Sequence, residues 1–515
     1  MYRTSSPGQL SFENFYLPFG GKLSCENRWV KLSQLIPWEN LESLYAEKFS
    51  DDIGAPALTV RLALGALIIK EKLGCSDRET VEQIRENPYL QYFIGQGQYS
   101  DKAPFHHSMM THFRQRFDIH SIGSINEQII DECHPQEMSQ LPEELEVLPE
   151  GDIHLQTQET PEDDSDNDND NPPPNRGKML ADATCAPADI SYPTDLKLLN
   201  QAREYTEEII DILYGPIKDE LPKKPRTYRN KARKAYLKTA KKRKVSRKHL
   251  RTAIGQQLRY VQRNLRHIKV LLEKGASLRW LSRRQYRLLL VVSELYRQQL
   301  EMYDNRVHRV EHRIVSLTQP HVRPIIRGKA GTPVEFGAKL SFSWIDGYLY
   351  LDRLDWNNFN ESGDLIEQIE AFRKRTGAYP ESVHVDQIYR TQANRKWCKE
   401  HNIRLSGPPL GRPKANVSLE EKKQTRDDEC SRVAIEGKFG QGKRRFGLGH
   451  IMTKLAETSE TAIAITILVI NLERLLRPLI FVFYFCLMLL ERRSKKAFGI
   501  RGERNTFRFE EFAIS

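Results

Sequence analysis

Residues 334–355, VEFGAKLSFSWIDGYLYLDRLD, decide the fold class. Val334–Asp346 and Tyr348–Asp355 each alternate apolar and polar side chains, the period of a half-buried strand, and Gly347 stands between them where a tight turn needs it. The stretch reads as a β-hairpin. Downstream, Asp364–Arg375 places Leu365, Ile366, Ile369 and Phe372 at helical spacing, and Tyr379–Asp386 (YPESVHVD) returns to a strand. Upstream, Met179–Ala183 (MLADA) is a short apolar run interrupted by Asp182, a further strand, and a last helix is expected after Cys430. Together these elements describe an α/β protein built on a mixed sheet, interrupted by a helical insertion at 200–330.

The insertion is unusual in its charge. Lys223–Lys269 holds 19 Lys or Arg and no Asp or Glu. Leu258, Val261, Leu265, Ile268, Leu271 and Leu272 recur at three and four, so a long helix with one apolar stripe is expected to run to Glu273, followed by a second helix over Ser282–Ser316. A solvated helix usually mixes signs. Like charges at this density repel unless a polyanion neutralises them, so DNA or RNA is the partner this segment calls for, with Lys241, Lys242, Arg243 and Lys244 at its densest point.

The opposite charge is concentrated upstream. Glu143–Asp170 carries 12 acidic residues, and no Lys or Arg occurs from Phe117 to Pro174. With SDNDNDNPPP near its end this stretch reads as a disordered linker. Setting its charges aside raises the balance of the remaining chain from +11 to +23.

Residues 30–115 read as a helical unit. Leu58–Lys72 has one buried face, Gly74 breaks it, and Ser76 caps a second helix with Glu79 completing a capping box; Asn87-Pro88 ends that helix. Two helices about a short turn suit a DNA reader, with Arg78 and Arg85 as the side chains to reach bases, although plain packing produces the same pattern.

Seven widely spaced cysteines form no metal-binding cluster and point to a reducing, cytoplasmic setting. The first twenty residues lack the apolar core of a secretion signal. Ala462–Ile470 and Leu479–Leu490 are shorter than the 18 or so residues of a spanning helix, so buried core helices are expected there, not a membrane segment.

Three carboxylates carry the chemistry. Asp182 and Asp386 sit at or near the ends of two expected strands, 204 positions apart, where side chains from neighbouring strands can meet. Arg432, Glu436 and Lys443 stand at i, i+4 and i+11, within about 40° of one another if one helix continues through the glycines. Two aspartates and a glutamate with basic neighbours suit divalent-metal chemistry on phosphates, where hard oxygen ligands hold Mg²⁺ in a two-metal site. His384, two positions before Asp386 on the same strand face, is a lesser catalytic candidate, with packing or a phosphate contact as its plainer role.

The blocks around these residues resemble the DDE transposases of bacterial insertion sequences, in particular the IS1182-like members of the IS4/IS5-like superfamily. ADATCAPADISYPTDLKLLNQARE from Ala181 is similar to the block of the first catalytic aspartate, placing it at Asp182. VHVDQIYRTQANRKWCKEHNIRLSGPPLGRP from Val383 places the second at Asp386, and RVAIEGKFGQGKRRFGLGHI from Arg432 places the glutamate at Glu436. The family's tyrosine, arginine, glutamate and lysine signature fits Arg432, Glu436 and Lys443, with Glu429 where the tyrosine is expected. The helical unit, with FRQRF at 113–117, is similar to the domain that precedes the catalytic core in these enzymes.

The resemblance implies an RNase H-like mixed-sheet catalytic core with a helical insertion, preceded by an all-helical N-terminal domain. It implies Mg²⁺, with Mn²⁺ as a substitute, at Asp182, Asp386 and Glu436. Arg432 and Lys443 join these as active-site groups, and Lys443, Arg444 and Arg445 as DNA contacts. Double-stranded DNA, both terminal inverted repeats and target, would be the substrate, handled by a homo-oligomer in a synaptic complex in the bacterial cytoplasm at the nucleoid. The expected layout is 1–135 N-terminal helices, 136–176 acidic linker, 177–199 first part of the core, 200–330 insertion, 331–475 remainder of the core, and 476–515 apolar helix and basic tail. An endonuclease without strand transfer, or an inert DNA-binding remnant, would share these features.

Overall fold

The computed structural model describes residues 11–18, 20–49, 57–140, 174–221, 223–326, 334–408 and 418–497, with 134–140, 421 and 478–497 described by backbone alone. Of the linker expected at 136–176, residues 141–173 lie outside the described residues, as does the tail after 497; residues 136–140 instead continue the last N-terminal helix.

The hairpin forms as its alternation requires. Strands β3 (Val334–Ile345) and β4 (Tyr348–Asp355) pair antiparallel, with Ile345 opposite Tyr348. Asp346 and Gly347 both take positive φ, 48° and 90°, the pairing of a two-residue turn whose twist matches that of the strands. The weak MLADA run is the heart of a ten-residue central strand, β1 (Lys178–Pro187), antiparallel to β3 and parallel to β5 (Ser382–Val385). Two short strands had no signal in the sequence: β2 (Arg323–Ile326) on β3 and β6 (Arg404–Leu405) on β5. The six-stranded mixed sheet runs β2-β3-β1-β5-β6, with β4 also on β3.

The N-terminal helices are α1 (Arg28–Leu35), α2 (Trp38–Ala46), α3 (Val60–Leu73), α4 (Asp77–Glu86), α5 (Pro88–Phe93), α6 (Met109–Arg116) and α7 (Ile119–Gln140). Gly74 ends α3 at φ 65°, and Ser76 accepts from the Glu79 amide as expected. The capping box is only half formed, because the Glu79 carboxylate accepts from Gln83 and does not reach back to Ser76. Apart from a small cluster of Phe15, Leu23, Val30 and Tyr92, these helices share their core with the sheet. One apolar cluster takes in Leu64 and Ile68 of α3, Phe113 of α6, Ile122 of α7, Leu340 and Phe342 of β3 and Val385 of β5. It extends to Ile435 and Phe439 of α14 (Leu419–Arg445) and Ile463–Leu476 of α15 (Ala456–Ala497). The unit expected at 1–135 is thus continuous with the sheet's core.

Helix α15 is the link. The apolar stretches expected as two short helices lie on one helix of 42 residues, whose described part is packed among α3, α6, α7 and the edge strand β4. Asn471 accepts from the Leu349 amide at 2.9 Å and donates to the Leu349 carbonyl at 2.8 Å, so the helix satisfies the edge strand's backbone. Among the described residues, no helix is long and apolar enough to cross a membrane.

The insertion holds α8 (Asp195–Tyr214), α9 (Arg229–Ala240), α10 (Arg247–Glu273) and α11 (Arg283–Asn305). The boundary expected at 199/200 falls inside α8, which packs on α10 and α11 through Leu198, Leu199, Ala202, Leu258, Val261 and Leu295. Buried Arg203 pairs with Glu207 at 2.7 Å. The second helix expected to reach Ser316 stops at Asn305, where Arg306 turns left-handed at φ 56°. The remaining helices are α12 (Leu365–Thr376), as expected, and α13 (Gln392–Glu400). The helix expected after Cys430 begins eleven residues earlier, at Leu419.

Candidate active site

The sheet brings the two aspartates together. In the parallel pairing of β1 with β5, Leu180 is opposite His384 and Ala181 opposite Val385. Continuing that register by one residue sets Asp182 beside Asp386, both on the face of Leu180 and His384. Phe342 lies across from Asp182 on β3 and packs against Phe439 at 5.3 Å, so this face is the one α14 covers. Asp386 is the residue at which β5 stops, and its carboxylate accepts from the Gln387 amide at 2.7 Å, opening a short turn.

Helix α14 runs unbroken through Gly437, Gly440 and Gly442, which joins the third block into one element. Arg432 lies 3.6 Å from Asp386 and 3.9 Å from Glu436, bridging the sheet aspartate and the helix glutamate. Asp386 and Glu436 are exposed, while Asp182 is half-buried. Burial pushes the Asp182 carboxyl up to about 6; the nearby Asp386 and Glu361 carboxylates add to this, and the Ala183 amide and Arg432 oppose it.

Lys443 shares the face of Glu436 but lies seven residues on, roughly 10 Å along the axis. Arg444 and Arg445 are exposed, and Arg445 lies 3.3 Å from Glu473 of α15.

His384 is buried, shares a hydrogen bond with Ser382 at 3.0 Å, and has its Nδ1 3.5 Å from Asp428 of α14. Burial holds its pKa below the ordinary imidazole value. It lies under α14, held between Ser382 and Asp428.

Sequence reasoning passed over several groups beside the site. Arg390 donates to the Val385 carbonyl at 2.8 Å, which sets its charge near Asp386, and Arg395 stands behind it, donating to the Arg390 carbonyl at 3.2 Å and the Pro408 carbonyl at 2.9 Å. Gly407, at φ 102°, leaves room for Arg390, whose guanidinium lies 2.1 Å from where a Cβ would stand. Lys339 of β3 pairs with Glu361. The spacing to Arg390 was in plain view, four residues after Asp386, but one arginine in a turn carries no signal alone.

Among the described residues, no three His, Cys, Asp or Glu side chains stand close enough together to hold a metal ion. The donor set nonetheless suits a hard divalent cation: three carboxylates, one of them half-buried and pushed up in pKa by that burial, with a guanidinium bridging the other two.

The proposed DNA contacts separate into two kinds. Lys241, Lys242, Arg243 and Lys244 are exposed in the turn between α9 and α10, which breaks the basic run into two helices, and no carboxylate pairs with them among the described residues. Arg78 is exposed, but Arg85 is 2.7 Å from Glu82, and α4 carries Asp77, Glu79, Glu82 and Glu86 against two arginines. That surface is poorly suited to phosphate.

Two family models match. Residues 383–473 match the transposase DDE domain, a span holding Asp386, Arg432, Glu436 and Lys443, and residues 19–116 match a transposase domain family. The block around Asp182 lies in neither span. The uncharacterized protein ORF8 in the nfe locus of Rhizobium meliloti is 37% identical over 87 residues, covering 17% of this chain and 42% of that protein. The chain thus spans less than half the length of that relative. No solved structure matches.

Proposed function

We propose that this chain, which resembles the DDE transposases of bacterial insertion sequences in its N-terminal helices and in its C-terminal half, cleaves DNA at the ends of an insertion sequence and joins them to target DNA. The observation that carries this reading is the alignment of Asp182 with Asp386 on neighbouring parallel strands, under a helix that sets Glu436 and Arg432 over Asp386. The strand order, with the hairpin on one side of β1 and parallel β5 and β6 on the other, supports an RNase H-like core.

Asp182, Asp386 and Glu436 would hold Mg²⁺, or Mn²⁺ in its place, and the bound ions would activate the attacking oxygen and stabilise the departing one. Arg432, tethered between two carboxylates, sits where a phosphate oxygen needs a positive partner, and Lys443 extends that character along the same helix face. Arg390, near Asp386 with Arg395 behind it, would steady the adjacent phosphate. Water, then a DNA 3′-hydroxyl, would serve as nucleophile, so no protein side chain need form a covalent bond to DNA. The exposed run Lys241–Lys244 would track the duplex backbone, while Arg78 and Arg85 would have to read bases from a surface rich in carboxylates. Two ends handled in one event favour a homodimer or larger assembly in the bacterial cytoplasm.

The purified chain, given pre-cleaved element ends and a supercoiled target plasmid with Mg²⁺, should produce joined products. Cleavage without joining would indicate an endonuclease, and end binding without either would indicate an inert remnant.

A further inference from the structure

Between Ser418 and Cys430, the first three turns of α14 and its N-terminal flank, Asp428 is the one described side chain that is buried. Arg404 of β6 grips it with a two-pronged contact, Nη1 to Oδ2 at 2.7 Å and Nη2 to Oδ1 at 3.0 Å. Gln424, one turn earlier, donates to Oδ1 at 3.0 Å. Burial alone would raise the Asp428 carboxyl, but the hydrogen bonds from Arg404 and Gln424 outweigh it and hold the group below the ordinary carboxylate range. It stays charged, and the pair stays made.

The spacing gives this clamp a consequence for the site. Gln424, Asp428, Arg432 and Glu436 follow one another at four-residue intervals along α14, while His384 and Asp386 are two residues apart on β5. His384 faces Asp428 at 3.5 Å and Asp386 faces Arg432 at 3.6 Å. Two strand residues advance ~6.6 Å and four helix residues ~6 Å, so the two contacts are neighbouring rungs between elements running in the same direction. Apolar packing of Ile435 and Phe439 tolerates small slides and rotations of the helix. A planar guanidinium fork on a carboxylate does not.

We propose that Asp428, gripped by Arg404, is a positioning residue that sets α14 against β5 so that Arg432 and Glu436 stand over Asp386. The inference rests on the reading of Asp182, Asp386 and Glu436 as metal ligands. Neither residue touches substrate; both act through the helix.

The test compares wild type, D428A, D428N and R404K in the full-length chain. It uses amide hydrogen exchange across 419–436, Mg²⁺ binding by calorimetry without DNA, and the Mg²⁺ dependence of cleavage. In D428A the exchange of 424–436 should rise, and Mg²⁺ affinity should fall by ~10-fold or more, as for other groups that orient metal ligands. Cleavage at saturating Mg²⁺ should recover to near the wild-type rate. D428N, which still accepts from Arg404, should fall between the two. If D428A does not fold, R404K, which keeps the charge and loses the fork, must show the same rise in exchange and the same loss of affinity. A folded D428A with wild-type exchange and wild-type Mg²⁺ affinity overturns the proposal, as does a general loss of thermal stability with the metal dependence unchanged. A wild-type chain that neither binds Mg²⁺ nor cleaves DNA sinks the functional reading instead, and the exchange comparison still decides the clamp.

Discussion

Arg432 lies 3.6 Å from Asp386, with its own helix neighbour Glu436 3.9 Å away, so one guanidinium joins the end of a central strand to the helix that crosses it. Asp182 completes the group from the adjacent strand, and Arg432 lowers its pKa from a distance. The three carboxylates come from different elements, two neighbouring strands and the helix over them, and on the proposed reading each should be indispensable to chemistry but not to binding.

Replacing Asp182, Asp386 or Glu436 with Ala should therefore abolish Mg²⁺-dependent cleavage, while DNA affinity changes by no more than about two-fold, because affinity comes mainly from phosphate contacts elsewhere. Gel-based cleavage and a binding titration on the same preparations check this. Full cleavage by D386A would falsify the assignment.

Asp182 also makes a prediction about stability. Its carboxyl is raised from 3.8 to about 6, so the folded chain holds this proton more tightly than the unfolded chain. The stability it contributes is greatest below about pH 4 and is lost as pH rises through 6. D182N removes the titration. Without divalent cations, D182N should match wild type near pH 4 and exceed it at pH 8 by at most about 3 kcal/mol, two pKa units at roughly 1.4 each. Asp352, also pushed up to about 6 by burial, titrates in the same range but is common to both proteins, so the difference between them isolates Asp182. Parallel melting curves across pH would refute the raised value.

The hairpin and α12 were legible because their signals are local: alternation, a two-residue turn and a periodic apolar face; α14 was not, since Gly437, Gly440 and Gly442 left its continuity open and its charged first turns, from Leu419, carry no apolar stripe. Met179–Ala183 was harder, since a strand buried on both faces shows no alternation, and its length depended on partners at 337–345 and 382–385. The Asp182–Asp386 meeting was legible only from the type of residue at each strand end. The grip of Arg404 on Asp428 was invisible, as a basic residue in a two-residue strand and one aspartate among many in a charged helix carry no sign of each other. The shared core was equally hidden: Leu58–Lys72 reads as a helix with one buried face, whereas α3 buries every residue from Ala63 to Ile69, so it is covered on all sides and not on one.

That shared core predicts how the N-terminal helices unfold. Buried Glu71 of α3 accepts from the Gly447 amide and from the Thr466 hydroxyl, both at 2.6 Å, and Lys72 pairs with Glu473 of α15. E71A takes the carboxylate acceptor from the Gly447 amide and one of two acceptors from the buried Thr466 hydroxyl, and should cost about 1–3 kcal/mol. G447A should also destabilise, since a Cβ there would lie 2.9 Å from the Glu71 carboxylate. In both variants, the loss of amide protection across α1–α6 and of the far-ultraviolet signal of the whole chain should come together in one shifted transition. A separate early loss of protection confined to α1–α6 would show that the helices form an independent domain.

The basic insertion supplies the last prediction. Lys241–Lys244 project from the turn between α9 and α10, with further exposed cations at Arg247 and Lys248, and no carboxylate stands among them. Such a surface suits many phosphates, whereas reading bases needs a few rigidly held side chains in a groove. If Z phosphates are neutralised, log K should fall with log salt at a slope of roughly −0.9Z for duplex DNA. Changing Lys241, Lys242, Arg243 and Lys244 together to Ala should flatten that slope and weaken element-end and random duplexes by similar factors. By contrast, K443A should slow cleavage on saturating DNA more than it weakens binding, because Lys443 lies on the face of Glu436 and far less of the total phosphate contact depends on it. Titrations at four salt concentrations distinguish the cases. An unchanged slope in the quadruple variant would make the turn an ordinary solvated surface, and a loss confined to the element end would make it a specific reader.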